Sequence, residues 1–80
     1  MRIDKFLKNS RLIKRRTIAK QACDTGRVKV NGKTVKAGYE VNVGDLIEIA
    51  FGDKVVKAEV LELKETSFKE ASKEMVRIIG

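Results

Sequence analysis

The sequence contains no histidine, no tryptophan and no proline, and a single cysteine, Cys23. Each absence removes a chemistry. Without histidine there is no Ser-His-Asp triad and no Cys-His dyad. One cysteine with no histidine cannot supply the ligands of a Cys/His zinc site. No intramolecular disulfide can form, which agrees with a reducing compartment. The aromatic residues are Phe6, Tyr39, Phe51 and Phe68. Only Phe6 lies among basic residues, and it reads as core, so a platform for stacking single-stranded bases is not expected. No apolar run approaches the roughly 20 residues of a membrane-spanning helix. The start, Met-Arg-Ile-Asp-Lys-Phe-Leu-Lys, has charge with no apolar stretch behind it and does not read as a secretory signal. The expected location is cytoplasmic, with no membrane partner.

What the chain does have is positive charge, unevenly placed. Its 80 residues fit one domain, and 36% charged against 42% hydrophobic residues suit a folded chain with a small core. Residues 1–36 hold twelve Lys/Arg and two acids, a net of +10, and residues 37–80 hold six bases and nine acids, a net of −3. Such density of one sign is self-repulsive, and it becomes sensible beside an anionic partner. The alternative is a solvated surface.

The local patterns predict an α+β order. Asp4 is placed to cap a short helix carrying Ile3, Phe6 and Leu7. A second helix is expected over about residues 14–25, with Ile18, Ala19, Ala22 and Cys23 as its apolar stripe and Gly26 as its stop. Lys14, Arg16, Thr17, Lys20 and Gln21 fall on the opposite face. Arg27 to Val30 alternates, Asn31-Gly32 follows, and Lys33 to Lys36 alternates again, the signature of a hairpin with a type I′ turn. Gly38 and Gly44-Asp45 mark further turns. Leu46–Phe51 reads as a well-buried strand and 55–63 as another. Thr66 or Ser67 is placed to cap a last helix near residues 68–73, and Met75–Ile79 reads as a closing strand. The expected division is a main unit over residues 1–63 and a short C-terminal extension, 64–80, packed on it.

Two constellations carry binding chemistry. Arg11, Lys14, Arg15 and Arg16 sit at the start of the second helix, where the backbone already carries partial positive charge. Cations there suit a phosphate held jointly by N–H groups and a guanidinium. Arg16 and Lys20, four apart, extend the track. Arg15 points nearer the apolar side, and both a packed stem and a binding role remain open for it. The second constellation is the hairpin with Arg27, Lys29 and Lys33, whose lysines could equally blunt an edge strand. Together these charges point to phosphate and shape recognition of folded RNA or duplex nucleic acid. Cys23 reads as a small core residue. Glu59 and Glu62 read as solvated strand surface.

Arg2-Ile3-Asp4, Leu7, Arg16-x-x-Ala19, Gly26-x-Val28-x-Val30-Asn31-Gly32 and Val41-x-x-Gly44-Asp45-x-Ile47, taken in that order and spacing over about residues 2–50, resemble the RNA-binding domain named after ribosomal small-subunit protein four. The resemblance implies the alpha-L fold: two N-terminal helices on a small, bent, mostly antiparallel sheet. It also implies binding of structured RNA through helices and hairpin, hence through Arg2, Lys5, Arg11, Lys14, Arg15, Arg16, Lys20, Arg27, Lys29 and Lys33. The opening seventeen residues and the length are most similar to the stand-alone RqcP type. That type implies a non-enzymatic, cofactor-free monomer on the large ribosomal subunit. Its implied partners are large-subunit ribosomal RNA, a peptidyl-tRNA and a second quality-control factor, during tailing of stalled nascent chains. Two other readings stand beside it. One is large-subunit recycling like the fifteen-kilodalton heat-shock protein, whose long basic tail is missing here. The other is a small sulfur carrier, which shares Val-Asn-Gly and Gly-Asp-x-Ile but needs a C-terminal Gly-Gly where this chain has Ile79-Gly80. The family often has proline between hairpin and third strand; Ala37-Gly38 here predicts a looser turn.

Overall fold

Change of period along the chain sets the architecture. The computed structural model describes residues 1–65 and 68–79. In chain order it holds α1 (Ile3–Asn9), α2 (Arg16–Asp24), β1 (Val28–Val30), β2 (Lys33–Thr34), β3 (Leu46–Phe51), β4 (Lys54–Val60), α3 (Lys69–Met75) and β5 (Val76–Ile78). The strands form one sheet in the order β2-β1-β3-β4-β5, and every neighbouring pair is antiparallel.

Period-2 alternation gives this sheet one apolar face, built from Val28, Val30, Ile47, Ile49, Ala58 and Val60, all buried. Ile3, Phe6 and Leu7 of α1, Ala19 and Cys23 of α2 and Met75 of α3 join the same core. The other sheet face has no such cover. Only Ile47 and Ile49 of β3 are fully buried, while Leu46 and Phe51 are exposed, so β3 is half-buried rather than the well-buried strand its composition predicts. A core this small can cover one side of a sheet only.

Two turns follow from backbone demands. Asn31 and Gly32 both have positive φ, 51° and 85°, as a type I′ turn requires. Gly26, at φ 81°, ends α2 in a Schellman arrangement: its N–H donates to Cys23 O and the Arg27 N–H to Ala22 O. The turn at Ala37-Gly38 is tied down rather than loose. The Asp4 N–H donates to Ala37 O, the Ile3 N–H donates to Tyr39 O at 2.7 Å, and Ala37 itself is buried.

Ile18 departs from its expected place in the apolar stripe and is 49% exposed. The helix meets α1 along Ala19 and Cys23, one turn apart, and Ile18 lies about 100° around from Ala19. The last helix and strand form, the helix running to Met75 rather than Lys73. Thr66 and Ser67, expected as its cap, lie outside the described residues. Residues past 63 contribute both the buried Met75 and the strand pairing with β4.

Candidate nucleic-acid interface

α1 and α2 bring their N-terminal ends together around one carboxylate. Asp4 does not cap α1; Arg2 holds the cap position, with no side-chain cap bond, and Asp4 lies in the first turn. The reason is tertiary. The Asp4 side chain is 3% exposed; it forms an ion pair with Arg2 Nε at 3.3 Å and accepts a hydrogen bond from Arg16 Nε at 3.4 Å. Its Oδ1 also accepts the Lys5 N–H at 2.9 Å. The buried anion thus holds two guanidiniums through Nε, with the two arginine side chains about half-exposed, 47% and 50%. Each guanidinium keeps its outer N–H groups for another acceptor.

A cleft of about 320 Å³ lies there, lined by Arg2, Asp4, Arg16, Thr17 and Lys20. Arg16 opens α2, no side chain caps that helix end, and its first turn holds no acid. The first-turn N–H groups, the Thr17 hydroxyl, Lys20 and the two guanidiniums are therefore all donors. Such a set can take phosphate oxygens; its side-chain acceptors are the already occupied Asp4 and the Thr17 hydroxyl, which can donate as well.

The ten basic residues of the sequence reading do not form one continuous site. Arg2, Arg16 and Lys20 line this cleft, and Lys14 and Arg15 are exposed just before α2, Arg15 at its cap position. Of the two roles open for Arg15, exposure at the cap position favours binding over a packed stem. Lys5 pairs with Glu65. Arg11 stands beyond the other end of α1, in a separate groove beside α3. Lys29 pairs across β1–β3 with Glu48, on the face opposite the core, and lines a small groove with Arg27. Lys33 stands opposite Val30 and so lies on the core side, at the sheet edge.

Sequence reasoning missed Asp4 and Thr17 as parts of the cleft. An acid one position into an arginine-rich start is a signal for an ion pair, but its second partner lies twelve residues away and only packing finds it. Two motif residues turn out to be structural. The Asn31 amide donates to Asp45 Oδ1 at 3.1 Å, and its oxygen accepts the Leu46 N–H at 3.0 Å. Asp45 Oδ2 accepts the Asn42 N–H at 2.9 Å. The Val-Asn-Gly and Gly-Asp motifs thus lock the hairpin to the turn before β3.

Comparison with known proteins agrees with this geometry. The S4 domain model matches residues 1–47. The RQC P-site tRNA stabilizing factor of Bacillus subtilis is 51% identical over 79 residues, covering 99% of this chain and 92% of that protein. The chain belongs to this S4-domain family. The trimeric structure of Vibrio cholerae heat shock protein 15 shares the fold, with a TM-score of 0.91 and 22% identity over 99% of this chain and 81% of that one. By sequence, the heat shock protein 15 homolog of Aeromonas salmonicida is 34% identical over 65 residues, only 49% of its length. By sequence, likeness over nearly the whole of both chains is therefore to the stabilizing factor, and the heat shock protein 15 homolog is the more distant relative. Among the described residues no helix is long and apolar enough to cross a membrane.

Proposed function

We propose that this chain is a non-enzymatic, cytoplasmic RNA-binding factor that holds a P-site tRNA on the large ribosomal subunit during ribosome-associated quality control. It acts there as a monomer against ribosomal RNA and the peptidyl-tRNA, beside a second quality-control factor. Residues 1–63 are the RNA-binding unit, and 64–80 close the same domain. The observation that carries this reading is the Asp4-organised pair Arg2 and Arg16 at the mouth of a donor-rich cleft, in a chain similar over nearly its whole length to the stabilizing factors. Lys14, Arg15 and Lys20 extend the phosphate contacts along α2. Lys5, Arg11, Arg27, Lys29 and Lys33 serve at the periphery, as long-range attraction and secondary contacts.

No stacking aromatic lines the cleft, so recognition is of backbone and shape. Binding is therefore steeply salt-dependent. With about six phosphates neutralised, log K against log[salt] has a slope of roughly −4 to −5. Crosslinking in cells with sequencing of the attached RNA tests the assignment. Ribosomal RNA and tRNA dominate if it is right, and a library dominated by mRNA, or a slope near zero, overturns it.

A further inference from the structure

A second groove, of about 390 Å³, lies at the other end of α1. One wall is Ser10 and Arg11, at the turn that closes α1; another is the Lys69, Ser72, Lys73 face of α3; the floor is Val76 and Ile78 of β5. The walls are fixed. The buried Ser72 hydroxyl donates to Asn9 O at 2.7 Å, and the Asn9 amide donates to Lys64 O at 3.1 Å. Among the described residues, cations ring an aliphatic floor and no acid lines it. Glu74 of α3 is instead engaged with Lys64. The groove is thus cationic although α3 and β5, which form most of it, lie in the half of the chain whose net charge is negative.

β5 is the last strand of the sheet, and among the described residues nothing pairs with its outer side. The hydrogen-bond phase is set by the Leu61 N–H donating to Met75 O and the Ile79 N–H donating to Lys57 O, both at 2.8 Å. Alternation then turns the backbone of Arg77 toward β4 and the N–H and C=O of Val76 and Ile78 outward. The same two residues present side chains to the groove, and Ile78 is 58% exposed. Backbone donors and acceptors in strand spacing, beside an apolar floor with a cationic rim, complement another polypeptide. Nucleic acid lacks the matching backbone, and among the described residues no aromatic lines the groove for its bases.

We propose that this groove receives an acidic, extended segment of a partner protein, which adds as a further strand along the free edge of β5. Its apolar side chains rest on Val76 and Ile78, and its carboxylates meet Lys69 and Lys73. This stands apart from the α1–α2 cleft, and its test separates the two.

The probe is a blocked peptide of alternating valine and glutamate, titrated into isotopically labelled full-length protein. The amide signals of Val76 and Ile78 shift and become protected from exchange, while those of Thr17 and Lys20 stay in place. The charge reversals Lys69→Glu with Lys73→Glu, on exposed side chains, weaken the peptide by about fivefold or more. Affinity for tRNA then stays within about twofold, apart from the change in salt slope that lost net charge brings. An alternating valine–lysine peptide does not bind. Failure to shift those amides at millimolar peptide overturns the proposal, as does equal binding of the lysine peptide. If an RNA hairpin shifts the same amides, and the double reversal costs RNA as much as loss of Arg16, the groove is an RNA surface and the proposal is wrong.

Discussion

The two ends of this molecule handle charge in opposite ways. At the α1–α2 end, one buried carboxylate, Asp4, serves two arginines and leaves their outer donors exposed. At the β4–α3–β5 end, acids and bases meet at the surface: Lys64 with Glu62 and Glu74, and Arg77 with Glu59. The first arrangement orients cations outward; the second neutralises them. An acid among arginines therefore does not simply cancel charge. When buried, it fixes the direction from which the remaining charge acts.

Removing that acid breaks the comparison most severely. Asp4→Ala deletes two charge-assisted contacts and the acceptor of the Lys5 N–H, and leaves two guanidiniums without their anchor. Urea unfolding should show a loss of about 2–4 kcal/mol, near the upper range for such groups because the carboxylate is buried. If Asp4→Ala unfolds at the wild-type midpoint, the carboxylate does not organise this end. Glu65→Ala, whose partner Lys5 also lies on α1, should leave the midpoint almost in place. Its side chain is 69% exposed, and Lys5 holds it below the usual carboxylate range through a surface hydrogen bond.

Arg16→Ala comes next and sharpens the comparison on the binding side. Affinity for tRNA should fall by about 1.5–3 kcal/mol, the range for hydrogen bonds to charged groups. Arg16→Lys should restore only part of it, because a point charge cannot replace a fork held at one side by Asp4. The helix-dipole argument alone predicts a slight gain in stability for Arg16→Ala. The contact with buried Asp4 reverses that sign, to a cost of about 0.5–1.5 kcal/mol. Filter binding alongside thermal melting separates the two effects, and a melt above wild type shows that the dipole dominates.

That reversal marks where the sequence stops being legible. The hairpin at Asn31-Gly32 and the helix stop at Gly26 are readable because a positive φ is a local demand that few residues meet. The order of helices and strands is readable because the apolar period changes from 3.6 to 2. The basic helix start is readable as charge. The pairing of Arg16 with Asp4 is not, since no local rule links residues twelve apart across a turn. Nor does alternation within the hairpin tell that Lys29 and Lys33 lie on opposite sides of the sheet; the register of β1 against β2 decides that. Ile18 was assignable to a stripe but not to its uncovered edge.

Cys23 offers a smaller effect with a pH signature. It is fully buried, and burial first, then the charges of Asp4 and Asp24, push its thiol up to about 11 from an ordinary 9.0. The thiolate is thus disfavoured in the folded state only. Stability from the neutral thiol is complete below about pH 9 and is lost as pH rises through about 11, by up to roughly 2–3 kcal/mol. Cys23→Ala should cost about 1 kcal/mol at neutral pH through the lost buried group. The two stability curves should then cross near pH ~10, above which the alanine variant is the more stable. Parallel curves would show that the thiol is not held protonated by the fold. Thiol labelling of the native protein should be slow, and tRNA affinity per folded molecule unchanged.

The smallest expected effect decides between charge and site. Lys64→Ala lowers the net charge by one, as Arg16→Ala does. Hydrogen bonds that the Lys64 ammonium donates to Glu74 first, then Glu62, raise its pKa, so a full unit is removed at any working pH near neutrality. Lys64 sits among acids and is not among the residues lining the cleft, and its field is already cancelled within a few ångströms. Beyond about 8–10 Å, exposed charges at physiological salt act weakly. tRNA affinity should therefore stay within error of wild type, and Arg77→Ala should behave alike because Glu59 neutralises it in the same way. If these variants weaken binding as much as Arg16→Ala, attraction to net charge is sufficient. The Asp4-anchored pair would then be a packing feature of two helices, and the cleft at their ends would not be the place where RNA is held.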